Sequence, residues 1–88
     1  MKIEFLSKFS KDIDHISQKS VKANLSKLIE LFELEENLNN IPQLKKLRGH
    51  KSAYRVRICD YRDGFFYKNN KVTLARVAHR KDIYKAFP

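Results

Sequence analysis

The chain has 88 residues, 42% of them hydrophobic, with 33% charged and a net charge of +9. That is enough apolar material for one domain, residues 1–88, around a small core, and too much for a disordered tail. The single cysteine, Cys59, allows no internal disulfide, no apolar run approaches the roughly 20 residues that span a bilayer, and the mixed charges of Met1–Leu6 are unlike a signal peptide. The expected setting is a reducing cytoplasm, without membrane contact.

Residues 2–6 alternate polar and apolar, which predicts a short strand with Ile3 and Phe5 facing inward. From Ser7 to about Ser17, Phe9, Ile13 and Ile16 recur at helical spacing, with Ser7 or Ser10 available as the N-cap. A longer helix follows from about Ser20 to Glu36, its stripe made by Val21, Leu25, Leu28, Ile29 and Phe32. The short joint between them predicts an antiparallel helical hairpin. Glu30, Glu33, Glu35 and Glu36 crowd the C-terminal end of the second helix, where the macrodipole disfavours negative charge; they are expected to be a solvated end. Residues 37–43 form a linker, with Pro42 discouraging helix at Ile41.

Beyond the linker the hydrophobic period falls from 3.6 to 2. Tyr54, Val56 and Ile58 alternate with Arg55 and Arg57, as in a strand with one buried and one basic face. A tight turn at Asp60-Tyr61 leads to a strand over 62–68, Asn69-Asn70 supply a hairpin turn, and 71–78 form a last strand. Arg80–Phe87 hold one or two helical turns. The order β-α-α-β-β-β with a short tail is an α+β fold, a helical hairpin packed on one face of a small antiparallel sheet.

The charge is not evenly spread. Residues 1–40 carry six lysines against seven carboxylates, whereas 41–88 carry thirteen Lys and Arg against three, including all six arginines. Such a concentration on a folded half marks a surface for polyanion, most simply nucleic acid. Alternation places Arg55 and Arg57 on the open side of the sheet, Arg62 opens the neighbouring strand, and His79, Arg80 and Tyr84 lie beyond the last one. Lys45, Lys46, Arg48 and Lys51 occupy a basic loop upstream and are expected to steer RNA. Guanidinium groups offer paired donors to phosphate and stay charged at neutral pH, so proton transfer falls to His79, Tyr84, His50 or a lysine. Several cations with an imidazole or a phenol suit RNA transesterification, in which the 2′-hydroxyl attacks its own phosphodiester. The spacing of the three histidines and Cys59 gives no metal-ligand pattern, and no cofactor is expected.

Leu-Lys-Lys-Leu-Arg-Gly (44–49), Tyr-Arg-Val-Arg-Ile (54–58), Asp-Tyr-Arg (60–62) and Val-Ala-His-Arg-Lys-Asp-Ile-Tyr (77–84) together resemble the RelE/ParE superfamily of type II toxins. The resemblance runs in register along essentially the whole chain. It implies a small toxin neutralised by a cognate antitoxin protein that wraps it, with operator DNA reached only through the antitoxin complex. In the RelE branch it implies an mRNA interferase that enters the ribosomal A site and cuts mRNA without metal. Carried onto this sequence, Arg55, Arg57, Arg62 and Arg80 take the basic positions of that branch, and His79 and Tyr84 its acid–base positions. The set favours the ribonuclease over the ParE-like gyrase inhibitor. A toxin reduced to antitoxin binding and a bare nucleic-acid-binding domain are the other readings.

Asp63 departs from the pattern, which has a branched apolar residue there. If Arg62 is on the open side, Asp63 points inward and needs a partner such as an Arg or a Tyr. An attenuating substitution, an edge feature beside Gly64 and a register one residue out are all compatible with the sequence. Arg76 is expected to face the helices or to pair with Asp63.

Overall fold

The computed structural model describes residues 1–88. Strand β1 (Lys2–Phe5) leads through Leu6 into helix α1 (Ser7–Asp14), and α2 (Lys19–Leu34) follows after a four-residue joint. A single 3₁₀ turn (Leu38–Asn40) then precedes four strands, β2 (Leu44–Lys46), β3 (Ala53–Ile58), β4 (Tyr61–Lys68) and β5 (Lys71–His79), and a closing turn of helix, α3 (Ile83–Ala86). The fold is α+β, and no helix is long and apolar enough to cross a membrane.

The sheet is ordered β1-β5-β4-β3-β2. It differs from the expected sheet in two ways. First, β1 pairs parallel with β5, Ile3 opposite Val72 and Phe5 opposite Leu74, so the sheet is mixed. Parallel neighbours need a long connection, and here both helices and three strands lie between them. Second, β2 is a strand where a loop was expected. It is three residues long, two of them lysines, and pairs antiparallel with β3; so short an element leaves no alternation to read. The β3–β4 turn falls on Cys59-Asp60 rather than Asp60-Tyr61, with Cys59 left-handed at φ 53°. The Asn69-Asn70 turn is as expected, both residues left-handed at φ 53° and 60°.

Both helices lie on one face of the sheet. Phe9, Val21, Leu25, Leu28 and Phe32 interlock with Val56, Ile58, Phe65, Val72, Leu74 and Val77, and Phe32 meets Phe65 edge to face with ring centroids 5.0 Å apart. Ile3 joins this core, but Phe5 is 50% exposed, its ring set against that of Phe9. The expected serine caps are not used: Leu6 takes the N-cap position of α1 through its extended backbone alone. The C-terminal carbonyls of α2 meet the amino group of Met1, which donates to Phe32 O at 3.0 Å and Glu35 O at 2.8 Å. That cation, rather than solvent alone, sits at the helix end where the glutamates gather.

The opposite face is partly closed by α3. Ile83 and Phe87 pack with Ala53 and Ala75 into a second, four-residue core, and the Phe87 ring meets Phe66 at a tilt of 54°, centroids 5.0 Å apart. Gly64 makes this possible, since a Cβ there would lie 2.5 Å from the Phe87 ring. Replacing Gly64 with Ala should destabilise the protein by about 1–3 kcal/mol and expose the Phe87 amide, now bonded to Ile83 O at 2.8 Å, to hydrogen exchange. An unchanged exchange rate at Phe87 would refute this account of the seat.

The register of β3 and β4 resolves the position of Asp63. It lies opposite Val56 and Val77, both core residues, and is fully buried with neither carboxyl oxygen hydrogen-bonded. The strand is therefore in the expected register, and no partner is supplied. Arg76 does not reach it. A bulge in β5 opposite Gly64/Phe65 breaks the alternation, and Arg76 turns to Asp12 of α1, with Nε–Oδ2 at 2.7 Å and Nη2–Oδ1 at 3.1 Å. Asp12 also accepts the Val77 N–H at 3.0 Å, at the sheet edge where β1 has ended.

Desolvation pushes the Asp63 carboxyl well above the usual carboxylate range. In the unfolded chain it ionises near pH 4, while in the folded protein it holds its proton to a higher pH. Its contribution to stability is complete below about pH 4. As pH rises it falls by about 1.4 kcal/mol per unit until the folded carboxyl itself titrates. Asp63→Val should stabilise the protein at pH 7 by about 2 kcal/mol or more, roughly 10 °C in Tm. Its advantage over the wild type should grow with pH above about 4. Thermal melts of the two proteins between pH 4 and 8 check this; parallel curves would disprove it.

Candidate nucleic-acid interface

Strand pairing brings the cations together in two like-charged pairs. Arg57 lies directly opposite Arg62 across β3 and β4, and Lys45 directly opposite Arg55 across β2 and β3. Like charges in such cross-strand positions repel and destabilise a sheet. No carboxylate offsets them: the ion pairs of the chain are Lys71–Glu4 and Arg76–Asp12, both elsewhere. Lys45, Arg55, Arg57 and Arg62, with Gln43, Leu44 and Tyr84, line one cleft of about 390 Å³.

Each cation is held differently. Arg55 is only 9% exposed, and its guanidinium carbon lies 4.6 Å from the centre of the Tyr84 ring, within cation–π range. The arginine is thus packed under an aromatic lid that is itself 74% exposed. Arg62 donates through Nη1 to the carbonyls of Cys59 (3.1 Å) and Tyr61 (2.9 Å), so the β3–β4 turn fixes its fork. Arg57 and Lys45 project into solvent. The result is a floor of positioned cations with a phenol at its rim, suited to a phosphodiester and to the extra charge of its transition state.

Of the expected site, then, Arg55, Arg57, Arg62 and Tyr84 come together, and Lys45 joins them because β2 is a strand. Lys46, Arg48 and Lys51 lie apart, around an exposed loop shaped by left-handed Gly49 at φ 77°. Two residues expected on the open side are not in the cleft. His79 lies opposite Tyr61 on β4 and therefore on the helix face. Its ring meets the edge of Tyr61 at 5.6 Å, its Nδ1 accepts the Lys81 N–H at 3.2 Å, and it borders a separate hollow with His15, Asp12 and Asp82. Arg80 is exposed in the turn after β5, where its backbone N–H donates to Asp60 O at 2.7 Å, and it does not line the cleft. Gln43 and Leu44 do line it and were not anticipated; Gln43 is left-handed at φ 60° without being glycine, which no sequence signal announces. No three His, Cys, Asp or Glu side chains approach closely enough to hold a metal ion.

Tyr84 should hold Arg55 in place. Tyr84→Ala is expected to leave the stability within about 1 kcal/mol of the wild type while exposing the Arg55 side chain, seen as faster guanidinium proton exchange by NMR. Unchanged exchange would show that the ring contributes nothing to its position.

No protein-family model matches the chain. A curated relative, Toxin RelE3 of Methanocaldococcus jannaschii, is 33% identical over 89 residues, covering 100% of each protein. The RelB-RelE antitoxin-toxin complex from Methanococcus jannaschii contains a chain that superposes with a TM-score of 0.84 at 30% identity, covering 97% of this chain and 99% of that one. The archaeal RelE-RelB complex from Pyrococcus horikoshii OT3 shares the fold at a TM-score of 0.70 and 18% identity, covering 90% and 93% of the two chains. With full-length identity of this degree and the same strand and helix framework, the chain belongs to the RelE superfamily of type II toxins.

Proposed function

We propose that this toxin is an endoribonuclease that cuts mRNA in the ribosomal A site and is neutralised by a cognate antitoxin. The observation that carries this is the uncompensated pair of cation pairs, Lys45/Arg55 and Arg57/Arg62, with Tyr84 at their rim. An arrangement that repels itself when empty gains most from a polyanion, and gains more as negative charge grows in a pentacoordinate phosphorane. The 2′-hydroxyl loses its proton to solvent as its oxygen attacks phosphorus, the bond to the 5′-oxygen breaks, and the products are a 2′,3′-cyclic phosphate and a 5′-hydroxyl. Tyr84 is the phenol within the cleft and donates the proton that the leaving 5′-oxygen needs. His79, on the other face, takes no part in this reading. The relatives solved as complexes with RelB support an antitoxin partner for this chain.

Asp63 favours a second reading, a toxin kept chiefly for antitoxin binding. Its side chain is on the face away from the cleft, so it acts on stability and not on the cations, which leaves the nuclease as the better reading. Induction of the toxin alone should arrest translation, and primer extension should reveal cuts inside coding frames. Arg62→Ala should lower cleavage about 10²–10³-fold, and Arg62→Lys should not restore it, since the fork is lost. Tyr84→Phe should slow cleavage more than His79→Ala. Intact mRNA in arrested cells would overturn the proposal, and a DNA-damage response with intact mRNA would point to gyrase.

A further inference from the structure

A second cleft lies around the outer edge of the sheet, between α2 and β3. Its volume is about 240 Å³, below the roughly 300–1,000 Å³ of sites that enclose a whole small molecule. It is the size for one ring system with the rest of the ligand outside. Leu28, Val56 and Ile58 form an apolar floor, and Asn24, Lys27, Gln43 and Arg57 contribute to the lining. Two cations and two amides make this rim, no carboxylate lines the cleft, and neither Lys27 nor Arg57 has an ion-pair partner.

The two clefts lie on opposite faces of the sheet and meet at its outer edge, where Gln43 and Arg57 line both. Gln43 is held between them in a left-handed backbone that costs about 1 kcal/mol or more for a residue other than glycine, secured by the Arg57 N–H donating to its carbonyl at 3.2 Å. Asn24 has only a weak partner, the Cys59 sulfur at 3.3 Å from its Nδ2. Its amide oxygen and second N–H are free to pair with another group.

We propose that this cleft seats one base of the RNA whose backbone crosses the arginine cleft, a subsite that rests on the nuclease reading above. The apolar floor takes the face of the ring. Asn24 and Gln43 present donor and acceptor to its edge, as single-stranded RNA is read by splayed bases, and Lys27 and Arg57 meet the phosphates on either side. An acidic partner peptide would match the charge, but it would not use two amides around a pocket sized for one ring, nor draw on the phosphate cleft around the sheet edge.

The test uses the free toxin and a 2′-O-methyl trinucleotide, which cannot be cut, beside versions made abasic at each position in turn. Asn24 and Lys27 are exposed, so Asn24→Ala and Lys27→Gln should fold. Asn24→Ala should weaken the intact trinucleotide about tenfold and have no effect on one of the abasic versions. Lys27→Gln should weaken all of them, and the Asn24 side-chain amide and Leu28 methyl signals should shift on titration with the intact oligonucleotide only. Equal loss for intact and abasic RNA, or none, while Arg62→Ala still releases the RNA, would overturn the subsite and leave the nuclease reading standing. Binding indifferent to Arg62→Ala would remove that reading and the subsite with it. An Asn24→Ala effect confined to antitoxin affinity would assign the cleft to protein docking and overturn the proposal.

Discussion

Everything in this molecule depends on the parity of one strand pairing. β3 and β4 meet with Arg57 opposite Arg62 and Val56 opposite Asp63, and because side chains alternate across a sheet these two facts are inseparable. A slip of β4 by one residue would bury Arg62 and expose Asp63. The core hydrophobics on the same strands, Val56, Ile58 and Phe65, choose the first arrangement, and their burial outweighs the cost of one buried, unpartnered carboxyl. The cationic cleft and the buried Asp63 are thus two sides of one register.

The same parity marks what was legible in the sequence. Arg55, Arg57 and Arg62 could be placed on one face by counting, and the structure places them there. Counting also reaches His79, two residues beyond core Val77 and therefore on the core side; the basic neighbours around it obscured a readable signal. Arg76 was not legible in this way, because the bulge at Ala75 changes parity within β5 and sends the guanidinium to Asp12. Tyr84 lies outside any strand, and its place over Arg55 depends on α3 folding back, which Gly64 allows by what it lacks. β2 was invisible because three residues have no period.

Two small cores share the load. The helix-face core has thirteen buried residues and contains the uncompensated carboxyl, while the other has four and anchors the lid over Arg55. Stability and site geometry are therefore partly separable: changes at Asp63 act on the first, and changes at Gly64, Ile83 or Phe87 on the second. Small domains have little stability in reserve, so association with an antitoxin would stabilise this fold as well as silence it.

The brevity of β2 has a consequence of another kind. It forms one border of the sheet, and a border strand is the natural template for pairing with another copy of the same chain. Here that border is three residues long and carries Lys45 and Lys46, with Arg57 just past its end. Two molecules approaching edge to edge would bring these charges face to face. The cations of the proposed RNA site would thereby also oppose edge-to-edge pairing of the protein with itself.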